Sequence, residues 1–102
     1  MTNIREFKDS PVSQGPDEKI AYRIDTSKWP GSGNPTNPVV KLFDNANIDV
    51  SATYLLGSPS ISTTFITTPL VQNLVEGKTY RLEVKWDRSG NTLEAFGGIE
   101  CK

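Results

Sequence analysis

From Thr79 to Trp86 the chain alternates without a fault. Tyr80, Leu82, Val84 and Trp86 point one way, and Arg81, Glu83 and Lys85 point the other. A period of two is the pattern of a strand with one buried face. A partner follows at once. Arg88-Ser89-Gly90-Asn91 has the composition of a turn, and Thr92–Cys101 then returns as a second strand. A four-residue loop sets Asp87 opposite Thr92, Trp86 opposite Leu93, Val84 opposite Ala95 and Tyr80 opposite Ile99. The same register brings Lys85 against Glu94 on the outer face, a favourable pair. A slip of one residue would set Trp86 against Thr92 and Lys85 against Leu93, so both faces select one pairing.

The rest of the chain reads the same way, and no 11-residue window shows a helical period. Lys19–Asp25 alternates, with Ile20, Tyr22 and Ile24 on one face and Ala21, Arg23 and Asp25 on the other. Residues 30–38 hold three prolines and two glycines, which predicts a loop. Val39–Phe43 is a short strand, and Asp44–Asn47 a turn. Ile48, Val50, Ala52, Tyr54 and Leu56 then share one side of a further predicted strand. Gly57-Ser58-Pro59-Ser60 ends it. Ile61–Thr68, rich in β-branched residues, is expected to run as one strand, interrupted by Pro69 and resumed over Leu70–Leu74. Residues 1–18, with Pro11, Gly15 and Pro16, read as an N-terminal arm or edge segment that Ile4 and Phe7 could anchor. Residues 19–102 read as a single domain. Many short strands with regular turns predict an all-β sandwich or barrel.

Composition narrows the chemistry. The 102 residues carry 11 Lys+Arg, 12 Asp+Glu and no His, for a net charge of −1. That disfavours a basic nucleic-acid binder, a histidine-based catalyst and a Cys/His zinc site. Asp17 with Glu18, and Asp44 with Asp49, are the paired carboxylates, and solvated loop charges explain them. Lys41, Lys78 and Lys85 read as charges on polar strand faces, and the many Ser and Thr lack an activating base. Gly31-Ser32-Gly33 has neither the helix nor the lysine of a phosphate loop. No catalytic, cofactor or metal residue is therefore assigned, and the chain is read as not an enzyme. An irregular cation site on Asp44, Asn47 and Asp49 is the minor alternative to a β-turn there. Cys101 is the lone cysteine and, next to last in the chain, is expected to carry few core contacts. The first fifteen residues lack the apolar run of a secretory leader, and no 18-residue apolar window occurs. Synthesis in the cytoplasm and no membrane partner are the expectations.

Most aromatics fall on apolar faces. Trp29 either plugs one end of the sandwich or lines a sugar-binding surface, and the plug is favoured. Phe96 lies on the outer face between Glu94 and Gly98, unless Gly97-Gly98 forms a bulge that turns it inward. Trp29, Tyr54 and Phe96 are the candidate interface residues. The most telling charge fact is an absence. From Val50 through Val75, 26 consecutive residues include no Asp, Glu, Lys or Arg. Either these strands are central and covered, or part of their surface meets a partner, since interface cores are depleted of charge. Ser62, Thr64 and Thr68, or alternately Thr63 and Thr67, would supply the polar outer face.

Two local motifs resemble known families. Leu74-Val75-Glu76-Gly77-Lys78-Thr79-Tyr80 has the form L-x-x-G-x-x-Y ahead of a strand. It resembles the tyrosine corner of immunoglobulin-like and fibronectin-like sandwiches, in which a Tyr hydroxyl bonds back across the corner. Leu74, Gly77 and Tyr80 are its residues, and an ordinary buried Tyr after a glycine turn is the alternative. The resemblance implies an immunoglobulin- or fibronectin-III-like antiparallel β-sandwich of about seven strands. The stretch Asp17–Trp29 has the form D-E-x3-Y-x-I-D-x-S-x-W. It resembles the first block of small bacteriophage and prophage tail-region structural proteins with immunoglobulin-like folds. The GSPSIS and ITTP segments and the closing Y-R-L-E-V strand fit that layout over residues 16–101. The resemblance implies a non-enzymatic assembly module that contacts other protein subunits or its own copies and ends up in the virion. A carbohydrate-binding or adhesive sandwich is the alternative.

Overall fold

The strand that dominates the sequence also organises the structure. A computed structural model of the chain describes residues 4–6, 11–29 and 33–102. Strand β9 (Thr79–Arg88) alternates between buried positions and exposed or half-buried ones along its length. It pairs on one side with β10 (Asn91–Cys101) in the expected register: Trp86 with Leu93, Lys85 with Glu94, Val84 with Ala95, Tyr80 with Ile99. Arg88 also pairs with Asn91, so the turn is only Ser89-Gly90, both at positive φ. That conformation matches the twist of a tight hairpin. On its other side β9 pairs with β4 (Thr36–Asp44).

Two four-stranded sheets result. One has the order β2-β10-β9-β4, with β2 at Val12–Gln14. The other has the order β1-β3-β7-β6: Ile4–Glu6, Ala21–Asp25, Phe65–Thr67 and Ser60–Ser62. A two-stranded ribbon joins β5 (Leu55–Leu56) to β8 (Leu70–Val71). The inner faces bury two apolar clusters. Ile20, Tyr22, Leu42, Val71, Leu74, Tyr80, Leu82, Ile99 and Cys101 form the larger, and Ile24, Ile66, Val84 and Trp86 the smaller.

The chain is all-β, but several expectations change. Among the described residues there are ten strands rather than about seven, three of the additional ones being the short β2, β5 and β8. The sheets are not wholly antiparallel, because β1 runs parallel to β3 and β2 parallel to β10. No hairpin links either pair, so loop geometry does not impose the antiparallel direction. Ile61–Thr68 is not one strand. Thr63, at φ 54, turns it back into a β6–β7 hairpin that pairs Ser62 with Phe65 and Ile61 with Ile66. Of Ile48–Leu56 only Leu55–Leu56 is a strand, β5. The Asp49 carboxylate accepts from the Ser51 N–H and hydroxyl, and Ser51–Tyr54 makes one helical turn, α1. Local side-chain bonds to the backbone compete with sheet pairing in this way. The loop expected through residue 38 is shorter, since β4 begins at Thr36. Asn37, at φ 52, lies within the register irregularity that accommodates Pro38. Beyond Pro69 only Leu70–Val71 is extended.

Cys101 also departs from expectation. It is 2% exposed and packs in the larger cluster. The Cys101 N–H donates to the Lys78 carbonyl, and the Gly77 N–H donates to the Cys101 carbonyl. The chain end is thereby tied down, and the series Leu93, Ala95, Gly97, Ile99 and Cys101 keeps to the inner face. Cys101→Ser is expected to cost about 1–3 kcal/mol, the penalty for placing an unpaired hydroxyl in a core. Denaturant melts check this, and a native thiol that reacts with Ellman's reagent as fast as the unfolded chain would contradict it.

Candidate functional site

The corner that precedes β9 is built as follows. Tyr80 is 4% exposed, and its hydroxyl accepts a hydrogen bond from the Val75 N–H at 3.0 Å. Gly77, at φ +85, makes the turn between them, and Leu74 is buried beneath it. Tyr54 packs edge-on against the Tyr80 ring, with centroids 5.5 Å apart. Burial pushes the Tyr80 phenol above its ordinary pKa, against the opposing effect of the Val75 bond.

The three candidate interface aromatics are not brought together. Trp29 is half-buried and meets Trp86 edge to face, 5.3 Å between centroids, closing the end of the smaller cluster. Tyr54 is half-buried, in its edge contact with Tyr80. Phe96 is 71% exposed on the outer face of β10. The pairing runs through Gly97 and Gly98 without a bulge, so the inward alternative for Phe96 does not arise.

The carboxylates of the Asp44–Asp49 turn serve the chain itself. Asp44 accepts from the Ala46 and Ile48 N–H groups, and Asp49 from Ser51. Among the described residues no group of three His, Cys, Asp or Glu side chains gathers as a metal would require. No helix among them is long and apolar enough to cross a membrane.

The uncharged stretch is resolved into covered and open parts. Ile66, Thr68 and Val71 are buried. Thr68 is therefore not on the outer face. Its hydroxyl accepts from the Tyr22 N–H and donates to the Pro69 carbonyl. In contrast, among the described residues β6 is the last strand of its sheet, and Ser60, Ile61 and Ser62 are all exposed. The reading in which these strands are all central and covered does not hold. Edge strands usually carry charge or kinks against unwanted pairing. At the edge of the other sheet, β4 carries Lys41, Pro38 and a register irregularity, whereas β6 has no charged residue in itself or its hairpin partner. The β6–β7 turn is fixed from below. The Thr64 carbonyl accepts from the Thr26 N–H at 2.9 Å and the Thr26 hydroxyl at 2.6 Å, and the Thr64 hydroxyl donates to Asp25.

Gln14 and Arg88 are buried polar side chains with no counterpart among the candidate residues. Gln14, 1% exposed, donates to the Val71 and Glu18 carbonyls and accepts from the Tyr22 hydroxyl. Arg88, 6% exposed, donates to the carbonyls of Thr26, Trp29 and Gly33. Arg88 continues the inward series Tyr80, Leu82, Val84, Trp86, which is the signal that marks it. For Gln14 no such signal exists.

No family model matches this chain, and no curated protein or solved structure is significantly similar to it.

Tyr80→Phe removes the acceptor of the Val75 N–H and is expected to cost about 1 kcal/mol. Tyr80→Ala adds a cavity and is expected to cost about 3–5 kcal/mol. Denaturant melts distinguish the corner bond from simple ring burial, which predicts no loss for the Phe variant. A pH dependence follows from the shifted groups. Burial first, and then the Glu76 charge, raise the Cys101 thiol, as burial raises Tyr80. Both therefore stabilise the fold below their unfolded pKa values, and that stability is lost as pH rises through the folded ones. Hydrogen bonds from Ser27, Ser51 and Asn37 lower Asp25, Asp49 and Asp87 respectively. Their contribution is present above the unfolded carboxylate value and is lost as pH falls through the folded values. The melting temperature is expected to be level between about pH 5 and pH 8 and to fall on either side. Cys101→Ala is expected to move the alkaline fall upward.

Proposed function

We propose that this chain is a non-enzymatic assembly module of immunoglobulin-like topology that joins protein subunits, as a structural component of a phage or prophage tail. The observation that carries the assembly reading is the open, uncharged β6 edge, held in place by the Thr64 anchors. A strand edge presents unpaired backbone donors and acceptors to an extended segment of a partner, and the missing charge removes the usual barrier to that contact.

The topology supports the immunoglobulin-like reading. With β2 taken as the continuation of the first strand, and β5 and β8 as a side ribbon, seven strands remain. They divide as β1, β3, β6, β7 on one sheet and β4, β9, β10 on the other. That is the division of strands A, B, D, E and C, F, G in such sandwiches. The Tyr80 bond near the start of β9 supports it as well. The tail assignment rests on the sequence blocks at Asp17–Trp29 and after. Synthesis in the cytoplasm followed by incorporation into the particle belongs to the same reading.

Ile61→Lys places a charge at the centre of β6, at a position 37% exposed on the same face as its buried partner Ile66. The variant is expected to fold, which a melting curve checks, and to be absent from particles that contain the unaltered chain. Particle mass spectrometry after host induction reads this. Particles that lack the unaltered chain would overturn the tail assignment, and normal incorporation of Ile61→Lys would overturn the role of β6.

A further inference from the structure

A second surface lies on the outer face of the other sheet, independent of β6. Along β9 the outward side chains are Arg81, Glu83, Lys85 and Asp87, so the charge runs plus, minus, plus, minus. On β4, Val39 sits level with Lys85 and Lys41 with Glu83. On β10, Glu94 sits level with Lys85 and Phe96 with Glu83. Lys41, Arg81 and Lys85 thus share the face with Glu83, Asp87 and Glu94. A partner of one sign would meet as many like charges as unlike ones.

A series that alternates in sign is its own complement when reversed. A two-fold axis across the strands, midway between Glu83 and Lys85, reverses it. Arg81 of each copy then meets Asp87 of the other, and Glu83 meets Lys85, the reciprocal pattern of an isologous contact. The flanking strands follow the same operation. Lys41 is set on Val39 of the other copy, and Phe96 on Glu94, so no like charges face each other. An axis through Glu83 or Lys85 would set that charge on itself. One placed elsewhere along β9 matches fewer of the four. Packed sheets keep their strands within about 30° of each other, which this axis allows.

Shape and chemistry agree with the pattern. A single exposed aromatic is ordinary on a protein surface, but Phe96, 71% exposed, has a counterpart. A hollow of about 80 Å³ lies on the same face, lined by Val39, Lys41, Glu83, Val84, Lys85 and Glu94. The axis brings Phe96 of each copy to the Glu94 rim of the other's hollow. The charged groups have capacity to spare. Arg81 donates to Glu83 through Nε at 2.6 Å, which leaves its two terminal amino groups for a second carboxylate. Asp87 accepts from Asn37 and Thr92 and keeps further lone pairs. Lys85 and Glu94 stand opposite each other, yet neither belongs to the ion pairs among the described residues, Arg81–Glu83 and Lys102–Glu100.

We propose that the outer face of β4, β9 and β10 binds the same face of a second copy of this chain about that two-fold axis. Three strands about 4.8 Å apart and about ten residues long offer roughly 500 Å² on each copy. Stable interfaces bury about 800 Å² per partner, so the dimer is weak. Its dissociation constant is expected to be on the order of 0.1 mM.

Sedimentation equilibrium from about 10 μM to about 1 mM chain tests this. Glu83→Lys and Lys85→Glu each set like charges against each other, and each is expected to weaken the dimer at least about tenfold. Mixed in equal amounts, the two variants face each other with opposite charges at every position of β9. A dimer of nearly the original strength is expected between them. Circular dichroism checks that each folds. Phe96→Ala alters an exposed position without changing charge and is expected to weaken the dimer at least about threefold. Ile61→Lys on β6 is expected to leave it intact. A chain that stays monomeric at about 1 mM would overturn the proposal. So would a dimer that survives Glu83→Lys or Phe96→Ala, or single variants that fail to pair when mixed. Loss of the dimer in Ile61→Lys would also overturn it and move the contact to β6. None of these outcomes depends on particle incorporation, so this proposal and the assembly reading fail separately.

Discussion

The carboxamide of Gln14 is the polar joint around which the two sheets close. It lies on β2, at the edge of one sheet, yet it accepts from the hydroxyl of Tyr22 on β3 of the other at 2.7 Å. Its Nε2 donates to the Val71 carbonyl at 2.8 Å and to Glu18 at 3.0 Å. Both donor hydrogens and the acceptor are used within the protein. A buried amide left unpaired costs several kcal/mol, about as much as a large side chain contributes by burial. β2 therefore cannot leave β10 without exposing the unmet needs of a phenol and a carbonyl inside the core. Residues 11–18 are thus bound into the domain by polar matching as well as by apolar contact.

Arg88 does the same at the opposite end of β9. Its guanidinium gathers the carbonyls of Thr26, Trp29 and Gly33. A buried cation needs partners, and here backbone oxygens supply them. They hold the chain after β3 over Trp86, where Trp29 closes the smaller cluster. Tyr80 fixes the other end through Val75. With both ends of β9 secured, the outer face of its sheet and the edge of the opposite sheet become fixed platforms rather than mobile loops.

The β9–β10 pairing was legible because two independent patterns, apolar inside and charged outside, agree on one register. The same rule extended by one step places Arg88 and Cys101 inward. Composition suggested a turn and a chain end there, but the register prevails over both. Ile48–Leu56 was illegible for the opposite reason. Its alternation is real, yet Val50, Tyr54 and Leu55 also suit one turn of helix packed on the core, and the Asp49–Ser51 bonds select that turn. The Ile61–Thr68 run carries no signal for its reversal, because a β-branched residue at positive φ is among the least expected turn formers. Gln14 was hidden because its burial depends on partners far away in sequence. Of the candidate site, the absence of charge was plain in the sequence. Which part of it faces outward required the sheet order.

Thr63 shows how an uncharged edge can be kept short. A β-branched residue at φ 54 is strained, and such strain persists only where the surroundings over-determine it. The Thr64 carbonyl and hydroxyl, held by Thr26 and Asp25, provide that constraint on one side of the turn. The reversal limits β6 to three residues, after Pro59. A three-residue edge offers too few backbone bonds to recruit a strand by itself, which is one of the ways natural edges avoid indiscriminate pairing. A partner that also covers the exposed Leu56 and Ile61 side chains can add apolar contact to those few bonds. The edge is thus open in charge and closed in length, and on the assembly reading that combination favours an extended segment carried on a partner surface over any free strand.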